Sequence, residues 1–383
     1  MKQQVRRDPK HYHDGSQEEL VPLRPLDLNR ITDLDEMLSG YEYMSFGARK
    51  VGEGAQTFYR MVTDPDMFVV LTLSGAMTPA KLSLVITEMV ERNFVQAIVS
   101  TGALMTHGFV ESSGRQHFKH DPKLSDNYLY EHGYNRIYDT IEPEQNLDDV
   151  EEIINQVLDV LPRNQKHCSR TFFEVLGKWL VDNVQGRGIL KSTYANLVPV
   201  YVPALTDCEI GLDITLYNMK RRLQGFDGVA FDLFGDVEHF MELIARQNKV
   251  GIVTVGGGVP RNWAQQVMPL LELVQSRMPA GLAPPHLQPK KYTAGLRICP
   301  EPEHFGGLSG CKYSEGVSWG KFASKDNGNF TEIPADATMV LPFIVGGVMQ
   351  RLRKEGVDKV RKNFSIRRQQ LQIDGEAGIH LAK

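Results

Sequence analysis

The sequence predicts an α/β fold in which a parallel sheet is covered by helices on both faces. Apolar stretches of strand length alternate along the chain with amphipathic helices, and this alternation is typical of parallel sheets. Turns of small residues join several strands to the helices that follow them. The chain has 383 residues, 42% hydrophobic and 23% charged, which is long enough for one large α/β domain or two smaller ones.

The first strand–turn–helix unit is the clearest. Met67–Leu73 is a continuous apolar run that predicts a buried strand, and residues 74–77 predict a tight turn. Thr78 then offers an N-cap and Pro79 a first helical residue, so a helix is expected to begin there. Its apolar residues recur at helical spacing, at Leu82, Val85, Ile86, Met89 and Val90.

Later segments repeat this pattern. Strands are predicted at residues 97–100, 198–202, 228–232, 250–255 and 292–298, and helices at 147–161, 237–246 and 260–275. A last core helix is expected to begin at Ala337, with Asp336 as its N-cap and a kink at Pro342.

Other segments lie outside the sheet. Residues 1–27 are polar and punctuated by proline, which indicates an N-terminal arm, and residues 28–383 are expected to form a single domain. Within that domain, residues 28–62 have a helical pattern broken at two glycines, residues 112–142 are polar and rich in aromatics, and residues 280–291 form a proline-rich loop.

Composition narrows the classes of function. A net charge of -4 gives no overall field that would favour nucleic acid. The four cysteines lie far apart, so neither a zinc motif nor a disulfide framework is indicated. No apolar run approaches the roughly 20 residues that cross a bilayer, and the polar N-terminus lacks the apolar core of a signal peptide, so a cytoplasmic protein is expected.

Four loops are expected to carry function because each follows a predicted strand. Ligands of parallel sheets bind outside the carboxyl ends of the strands. These loops are residues 74–77, residues 101–103, Asp207 and residues 256–258. The three glycines at 256–258 open a helix and would let a pyrophosphate approach its N-terminus, although a tight turn explains them equally well. Residues 74–76 are a second phosphate-loop candidate.

Three further polar groups allow two interpretations each. Asp207 and Asp336 could accept hydrogen bonds from ribose hydroxyls, but Asp336 could also simply cap a helix, and both roles can coexist. His117 and His120 are three residues apart. A metal site would need further ligands that the sequence does not locate, so a solvated face and no metal are expected.

Lys321 stands among small and apolar residues beside Trp319. Such a context predicts a lysine that is partly removed from water. A desolvated ammonium loses its proton more easily, and the neutral amine can form an imine with a carbonyl or another imine. The alternative is a lysine that extends past a core tryptophan to solvent.

Several motifs around this lysine resemble deoxyhypusine synthase. The most specific is Val317-Ser318-Trp319-Gly320-Lys321, followed by Ala335-Asp336-Ala337 at the start of an apolar helix. Three more runs occur in the family's order: Asn135-Arg136-Ile137, Pro203-Ala204-Leu205-Thr206-Asp207 and Gly256-Gly257-Gly258-Val259. The resemblance covers most of the chain, from about residue 27 to residue 352.

The resemblance implies a Rossmann-like fold, NAD as cofactor, and transfer of an aminobutyl group from a polyamine to an acceptor amine through an imine on Lys321. It also implies a homotetramer with shared active sites. The positions matching the family's cofactor site are Gly75, Ala76, Thr101, Gly102, Ala103, Asp207, Gly257, Asp336 and Ala337. Those expected around the substrate are His107, Asn262, Glu315, Ser318 and Trp319.

The chain departs from the family mainly where the amine binds. The family's Ser-Asn loop is Gly75-Ala76 here, its paired glutamates are Thr106-His107, and a histidine is Asn262. An acidic stretch becomes residues 305–308, and an aspartate aligns with Leu212. Since polyammonium ions need carboxylates or aromatic faces, an altered amine is expected. The pattern resembles the bacterial deoxyhypusine synthase-like branch.

The acceptor stays open between a small amine, giving a homospermidine-type product, and a protein lysine. The remodelled acidic positions favour the small amine. Two other classes of function are consistent with the residues: a catalytically silent NAD-binding protein, and a simple NAD-dependent amine oxidoreductase. The intact Lys321 and Trp319 argue against the silent protein.

Overall fold

The structure is a computed structural model that describes residues 7–324 and 328–376. Residues 1–6 of the predicted arm, and residues 325–327 and 377–383 of the predicted domain, lie outside this described part. The strands are β1 Met67–Leu73, β2 Ala97–Ser100, β3 Phe118–Lys119, β4 Tyr134–Ile137, β5 Thr140–Pro143, β6 Val200–Tyr201, β7 Lys249–Val255, β8 Ala294–Ile298 and β9 Asn329–Ile333.

Helices connect these strands and account for most of the remaining regular structure. They are α1 Leu34–Tyr41, α2 Phe46–Thr63, α3 Ser83–Glu91, α4 Gly102–Ser112, α5 Asp126–Glu131, α6 Glu144–Val160, α7 Ser169–Asn183, α8 Ile189–Asn196, α9 Glu209–Leu223, α10 Phe234–Ala245, α11 Gly258–Arg277, α12 Tyr313–Ser318, α13 Ala337–Lys354 and α14 Ile366–Glu376. None of the described helices is long and apolar enough to cross a membrane.

The main sheet is parallel, with the described strands in the order β6-β2-β1-β7-β8-β9. Side chains of β1 alternate between two apolar cores. Val69, Leu71 and Leu73 face a core that includes α2, α3, α4 and α13, while Phe68 and Val70 face one that includes α10, α11 and α14. Both faces are therefore covered, and the predicted α/β class is confirmed.

The predicted helix start after β1 is wrong. Thr78 does not cap a helix: its buried hydroxyl donates to the carbonyl of Leu104 in α4, at 2.9 Å. Residues 76–82 form turns, with Lys81 in the left-handed region at φ 67°, and α3 begins only at Ser83. The hydrogen bond to α4 therefore replaces the capping bond that the local sequence favours.

The strand predicted at residues 228–232 is also wrong. Its backbone does not join the main sheet, and Phe231 makes only an isolated bridge to His167. The side chain of Asn218 takes the place of a neighbouring strand, since its amide accepts from the Val229 N–H at 2.8 Å and donates to the Val229 carbonyl at 3.0 Å.

A second, antiparallel sheet lies within the segment expected to be only polar and aromatic-rich. Its strand order is β3-β5-β4, with Ile141 of β5 opposite Phe118 on one side and Arg136 on the other. These strands are two to four residues long and, unlike β2, largely polar, so they give too little apolar pattern to be recognised in the sequence.

Candidate active site

Lys321 is held in place by the turn that ends α12. Gly320 adopts a left-handed conformation, φ 71°, which lets the Lys321 N–H donate to the Gly316 carbonyl at 3.0 Å. The Lys321 carbonyl in turn accepts from the N–H of Tyr292, just before β8, at 3.0 Å. The backbone of the lysine is therefore fixed on both sides.

The next residue, Phe322, anchors this turn in an aromatic cluster. It is fully buried, and its ring centroid lies 5.7 Å from Tyr292, 4.8 Å from Tyr313 and 5.5 Å from Phe330. Edge-on and tilted aromatic contacts of this kind add stability beyond the burial of apolar area. A rigid support therefore lies directly beneath the lysine.

The Lys321 side chain is 8% exposed, so the prediction of a lysine removed from water agrees with the structure. Its Nζ donates to Oδ1 of Asn262 at 3.0 Å, and the Trp319 ring centroid lies 5.9 Å away. Burial lowers the pKa of Lys321, and the positive charge of Arg261 lowers it further. Such a lysine holds more neutral amine near neutral pH than a solvated one.

Arg261 combines a structural and an electrostatic role. It is 3% exposed, and its guanidinium donates to the carbonyls of Leu308 at 3.2 Å and Cys311 at 2.5 Å. These bonds hold the segment before α12 against the first turn of α11. The carbonyls accept from its two terminal nitrogens without cancelling the charge, so its field still reaches Lys321.

Lys321 opens into a pocket of about 260 Å³. The pocket brings together Asn262, Glu315 and Trp319 from the predicted substrate set, but Ser318 does not line it. The Ser318 hydroxyl donates to the Glu315 carbonyl instead, at 2.7 Å. Leu308, from the altered stretch 305–308, also lines the pocket. The sequence interpretation missed the rest of the lining, namely Arg261, Gln265, Gln266, Cys311, Lys312 and Gly316.

The predicted cofactor loops meet at one edge of the sheet. Strands β2, β1 and β7 are neighbours, so the loops at their carboxyl ends lie side by side. Ser74 joins two of them: its hydroxyl accepts from the Gly257 N–H at 2.7 Å and donates to the Val255 carbonyl at 3.2 Å. From β1 the chain first adds β2 and β6 on one side, and it later returns to add β7 on the other side. Doubly wound sheets bind nucleotides at such a reversal of strand order.

Two helix N-termini point their N–H groups toward this edge. α4 begins at Gly102 and α11 at Gly258, and neither has a side-chain hydrogen bond from its N-cap residue, Thr101 or Gly257. Uncapped N–H groups of this kind suit a diphosphate. The residues present therefore fit a dinucleotide at this edge.

The glycines in these loops serve different purposes. A Cβ on Gly102 would lie 2.3 Å from the sulfur of Cys208, and one on Gly257 would lie 2.5 Å from Cα of Ser309. Glycine is therefore required at these two positions because other parts of the protein, rather than a ligand, pack closely against the backbone. Gly75 and Ala76 are instead exposed, with Gly75 at φ 78°, so they are open to a ligand.

The remaining cofactor candidates also lie beyond strand ends. Asp207 is exposed after β6, and Ala103 is in the first turn of α4. Asp336 is an N-cap, as one interpretation of the sequence expected: its carboxylate accepts from the backbone N–H of Thr338 at 2.8 Å and from its hydroxyl at 2.9 Å. Ala337 is buried in the first turn of α13.

His107 lies in a different cluster from the Lys321 pocket. Its Nδ1 is 2.7 Å from Oε2 of Glu142, and Nε2 of His117 is 3.3 Å from Oε1 of the same carboxylate. The expected solvated face is wrong for His117, whose side chain is 0% exposed. Although burial acts to raise it, the two imidazoles lower the pKa of Glu142 to about 2.

Comparison with known proteins gives a consistent family match. The family model described as deoxyhypusine synthase matches residues 36–348. "Probable deoxyhypusine synthase 2" of Methanosarcina mazei is 31% identical over 364 residues, 94% of this chain and 97% of that protein. "Deoxyhypusine synthase-like protein" of Elusimicrobium minutum is 27% identical, over 84% of this chain and 82% of its own length.

A solved structure supports the fold alone. The crystal structure of a "putative deoxyhypusine synthase" from Entamoeba histolytica aligns with a TM-score of 0.56 at 15% sequence identity. The alignment covers 90% of this chain and 99% of that one. The shared architecture therefore extends over nearly the whole length of both proteins.

Proposed function

The chain belongs to the deoxyhypusine synthase family and is a transferase of aminobutyl groups, and from this premise we propose that it acts on a polyamine through an imine on Lys321, with NAD as the hydride carrier. The family generally depends on NAD. One observation carries the proposal: a buried lysine donates to a neutral amide inside a pocket of about 260 Å³.

Burial and the charge of Arg261 prepare Lys321 for nucleophilic attack. Both lower the pKa of Lys321, which increases the fraction of neutral amine. Nζ forms a bond to the carbon of a substrate imine, and the original amine leaves with its bonding electron pair and a proton from Nζ. Asn262 directs Nζ through its hydrogen bond, and Trp319 faces the cationic intermediate.

Bound NAD would remove a hydride from the donor amine and return it after transfer. We propose that the uncapped N-termini of α4 and α11 hold its diphosphate, through Thr101, Gly102, Ala103 and Gly257. The exposed Gly75 and Ala76 border the same edge. The proposed partners of the ribose hydroxyls are Asp207 and Asp336; Ala337 follows Asp336 in the first turn of α13.

The charges of the pocket favour a short donor and a small-amine acceptor. Among the residues described as lining it, Glu315 supplies the carboxylate, whereas Arg261 and Lys312 carry positive charge beside the reactive Lys321. A long polyammonium ion would meet net repulsion there. A diamine carries fewer charges, so we propose putrescine-type donors and a small-amine acceptor, with a protein lysine as the alternative acceptor.

Borohydride trapping tests the covalent step. The protein is incubated with NAD and either putrescine or spermidine, reduced, and mapped by mass spectrometry. An aminobutyl adduct is expected on Lys321, and Lys312, which is paired with Glu303 at 2.9 Å, should remain unmodified. Absence of an adduct on Lys321 with every common polyamine would overturn the covalent mechanism.

Product analysis separates the remaining alternatives. Transfer from putrescine releases ammonia and leaves no net NADH when an acceptor is present, whereas a simple oxidoreductase accumulates NADH. A catalytically silent protein would bind NAD tightly while both wild type and Lys321→Ala stay inert. If only a protein lysine accepts the aminobutyl group, the small-amine proposal is wrong and the transferase stands.

We also propose a homotetramer with shared active sites. One face of α9 supports an interface, because it exposes apolar side chains at helical spacing: Leu212, Leu216, Met219 and Leu223 are 65%, 42%, 49% and 87% exposed. Sedimentation equilibrium of the wild type and of Leu216→Glu tests this. A wild type that stays monomeric at micromolar concentration would exclude the assembly.

A further inference from the structure

We propose that His107, His117 and Glu142 form a binding site for a divalent transition-metal ion, and that the ligand set favours Zn²⁺. One ligand atom from each residue lies within 4.8 Å of the others. The three residues come from α4, from the segment just before β3, and from β5. Two imidazole nitrogens and one carboxylate are a frequent ligand set for zinc in proteins.

The orientation of the side chains distinguishes this cluster from an ordinary hydrogen-bonded one. The nitrogen–oxygen separations are 2.7 and 3.3 Å, yet His107 Nδ1, His117 Nε2 and both Glu142 oxygens lack a hydrogen bond of acceptable angle. The oxygens thus lie away from the axis along which each ring nitrogen would direct a proton. Ligands that converge on one ion have this arrangement, because each lone pair points at the ion.

The distances suit an ion after small adjustments. Ligand atoms about 2.1 Å from a tetrahedral ion lie roughly 3.4 Å from one another. The measured 3.3 Å between His117 Nε2 and Glu142 Oε1 already matches this separation, and the 2.7 Å contact of His107 needs to open slightly. Rotation of the imidazole or the carboxylate would suffice.

Burial and charge also favour a cation. Glu142 is 1% exposed, and the side chains of His107 and His117 are 11% and 0% exposed. Nearby, α9 packs against α4, and Glu209 in its first turn has a buried Oε2 without a hydrogen-bond partner in the described structure. Two carboxylates in this region make a divalent ion a better counter-charge than one imidazolium.

Lys81 is expected to compete with the metal. Its ammonium lies 3.1 Å from Nδ1 of His117, so the ring proton of that tautomer sits on Nε2, where the metal would bind. Metal binding needs the opposite tautomer and therefore moves Lys81 away. The Lys81 side chain is 47% exposed and 3.8 Å from Glu111, which offers it another partner.

The ion would join the small antiparallel sheet to the main fold. His117 and Glu142 belong to the segment that contains β3 and β5, whereas His107 is in α4. α4 begins at the proposed cofactor loop, residues 101–103. The site would thus fix the position of the small sheet relative to that loop.

Metal uptake by the full-length protein tests this inference without using the transfer reaction. The chain is stripped with a chelator and titrated with Co²⁺ and then Zn²⁺, with visible absorption and elemental analysis as readouts. We expect one ion per chain, a Co²⁺ spectrum typical of low coordination number, and displacement by Zn²⁺. Failure of the wild type to bind either ion stoichiometrically would overturn the proposal.

Matched variants locate the ion. His107→Gln, His117→Gln and Glu142→Gln should each weaken Co²⁺ binding roughly 100-fold or more, because loss of outer-sphere partners alone costs about 10–100-fold. His120→Gln is the control: this ring lies three residues from His117 and faces the Leu124 carbonyl at 3.3 Å, so affinity should not change. Equal loss in His117→Gln and His120→Gln would contradict the site.

Two further measurements check that the variants fold and that Lys81 competes with the metal. Circular dichroism identifies variants that fail to fold, and binding by any one folded ligand variant with wild-type affinity excludes that residue as a ligand and overturns the three-ligand site. Lys81→Met should bind Co²⁺ more tightly than the wild type, because it removes the competing hydrogen bond. Unchanged or weaker binding by Lys81→Met would overturn the assignment of Nε2 of His117 as a ligand.

Discussion

Arg170 and Lys321 are both buried cations, but their partners differ. Arg170 is 1% exposed and donates to Glu174 at 3.4 Å, within α7, and to Asp374 at 2.6 Å. The bond to Asp374 joins α7 to α14. Lys321 is 8% exposed and donates to the neutral amide of Asn262. The two sites therefore contain similar buried charges in opposite electrostatic surroundings.

This difference is the one expected between a structural cation and the proposed nucleophile. Carboxylates stabilise the charge on Arg170, and a guanidinium keeps its proton in proteins. An amide satisfies a donor of Lys321 without stabilising its charge to the same extent, so burial can still favour the neutral amine. A buried lysine with an uncharged partner is therefore a stronger indication of chemistry than burial alone.

The largest expected effect comes from breaking the ion pair of Arg170. Asp374→Asn leaves the arginine without its closest carboxylate and should lower the free energy of unfolding by about 3–5 kcal/mol. Lys321→Met removes a buried charge that has no carboxylate partner among the described residues, and it should change stability by less than about 1 kcal/mol, or raise it. Urea unfolding of both variants measures this, and equal losses would contradict the distinction.

Introducing a carboxylate beside Lys321 should make it resemble Arg170. In Asn262→Asp the new charge should raise the pKa of Lys321 by about 1–3 units and slow adduct formation near pH 7 by about 10–1000-fold. The pH dependence of borohydride trapping gives this shift. Gln266→Glu adds the same charge one helical turn later and should shift the profile less; a larger shift there would contradict the assigned contact.

Lys362 is a third cation for comparison; it is half-buried and, like Lys321, has uncharged hydrogen-bond partners. Its Nζ donates to the carbonyls of Met61, Val62 and Asp64, and burial lowers its pKa from 10.5 to about 8, with Asp64 and Asp66 opposing the shift. Between these values the unfolded chain holds a proton that the folded chain releases. The contribution of this group to stability should therefore rise with pH from about 8 to 10.5.

Thermal unfolding of the wild type and Lys362→Met across that range measures this contribution as a difference. The wild type should gain stability relative to the variant as the pH rises. Parallel curves would show that Lys362 keeps an ordinary pKa, and neutral carbonyl partners would then not be enough to favour a neutral lysine in this protein.

The smallest expected effect concerns the turn that holds Lys321. Gly320→Ala places a side chain at φ 71° and should cost about 1 kcal/mol. Gly356→Ala is the control, since Gly356 has φ 74° at the end of α13. Open space surrounds Gly356, and a Cβ on Gly320 would meet only the flexible end of Glu272, at 3.0 Å. Both should lose similar stability, but only Gly320→Ala should slow trapping at Lys321; equal trapping rates would contradict the positioning role.

Much of the main sheet could be predicted from sequence because its strands are continuous apolar runs. β1 matches its predicted bounds, and β2, β7 and β8 agree to within two residues. β9 was missed because its polar residues give only a weak strand pattern, and the strand at 228–232 was predicted wrongly because the role of Asn218 depends on the folded chain.

The candidate site also has parts that the local sequence predicts and parts that it does not. The setting of Lys321 follows from its immediate neighbours, so local sequence is informative. The polar face of α11 could also have been noticed, because Arg261 and Gln265, and Asn262 and Gln266, are each four residues apart. Glu142 carries no local signal, since its two histidines lie 35 and 25 residues earlier in the chain.

The exposed position of Trp319 provides an intrinsic optical probe. The chain has three tryptophans, and Trp319 is 65% exposed at the mouth of the lysine pocket, while Trp179 and Trp263 are partly buried elsewhere. Its emission depends on how much water surrounds the indole. An amine entering the pocket should therefore shift the fluorescence spectrum directly, so occupancy can be followed in real time without a label.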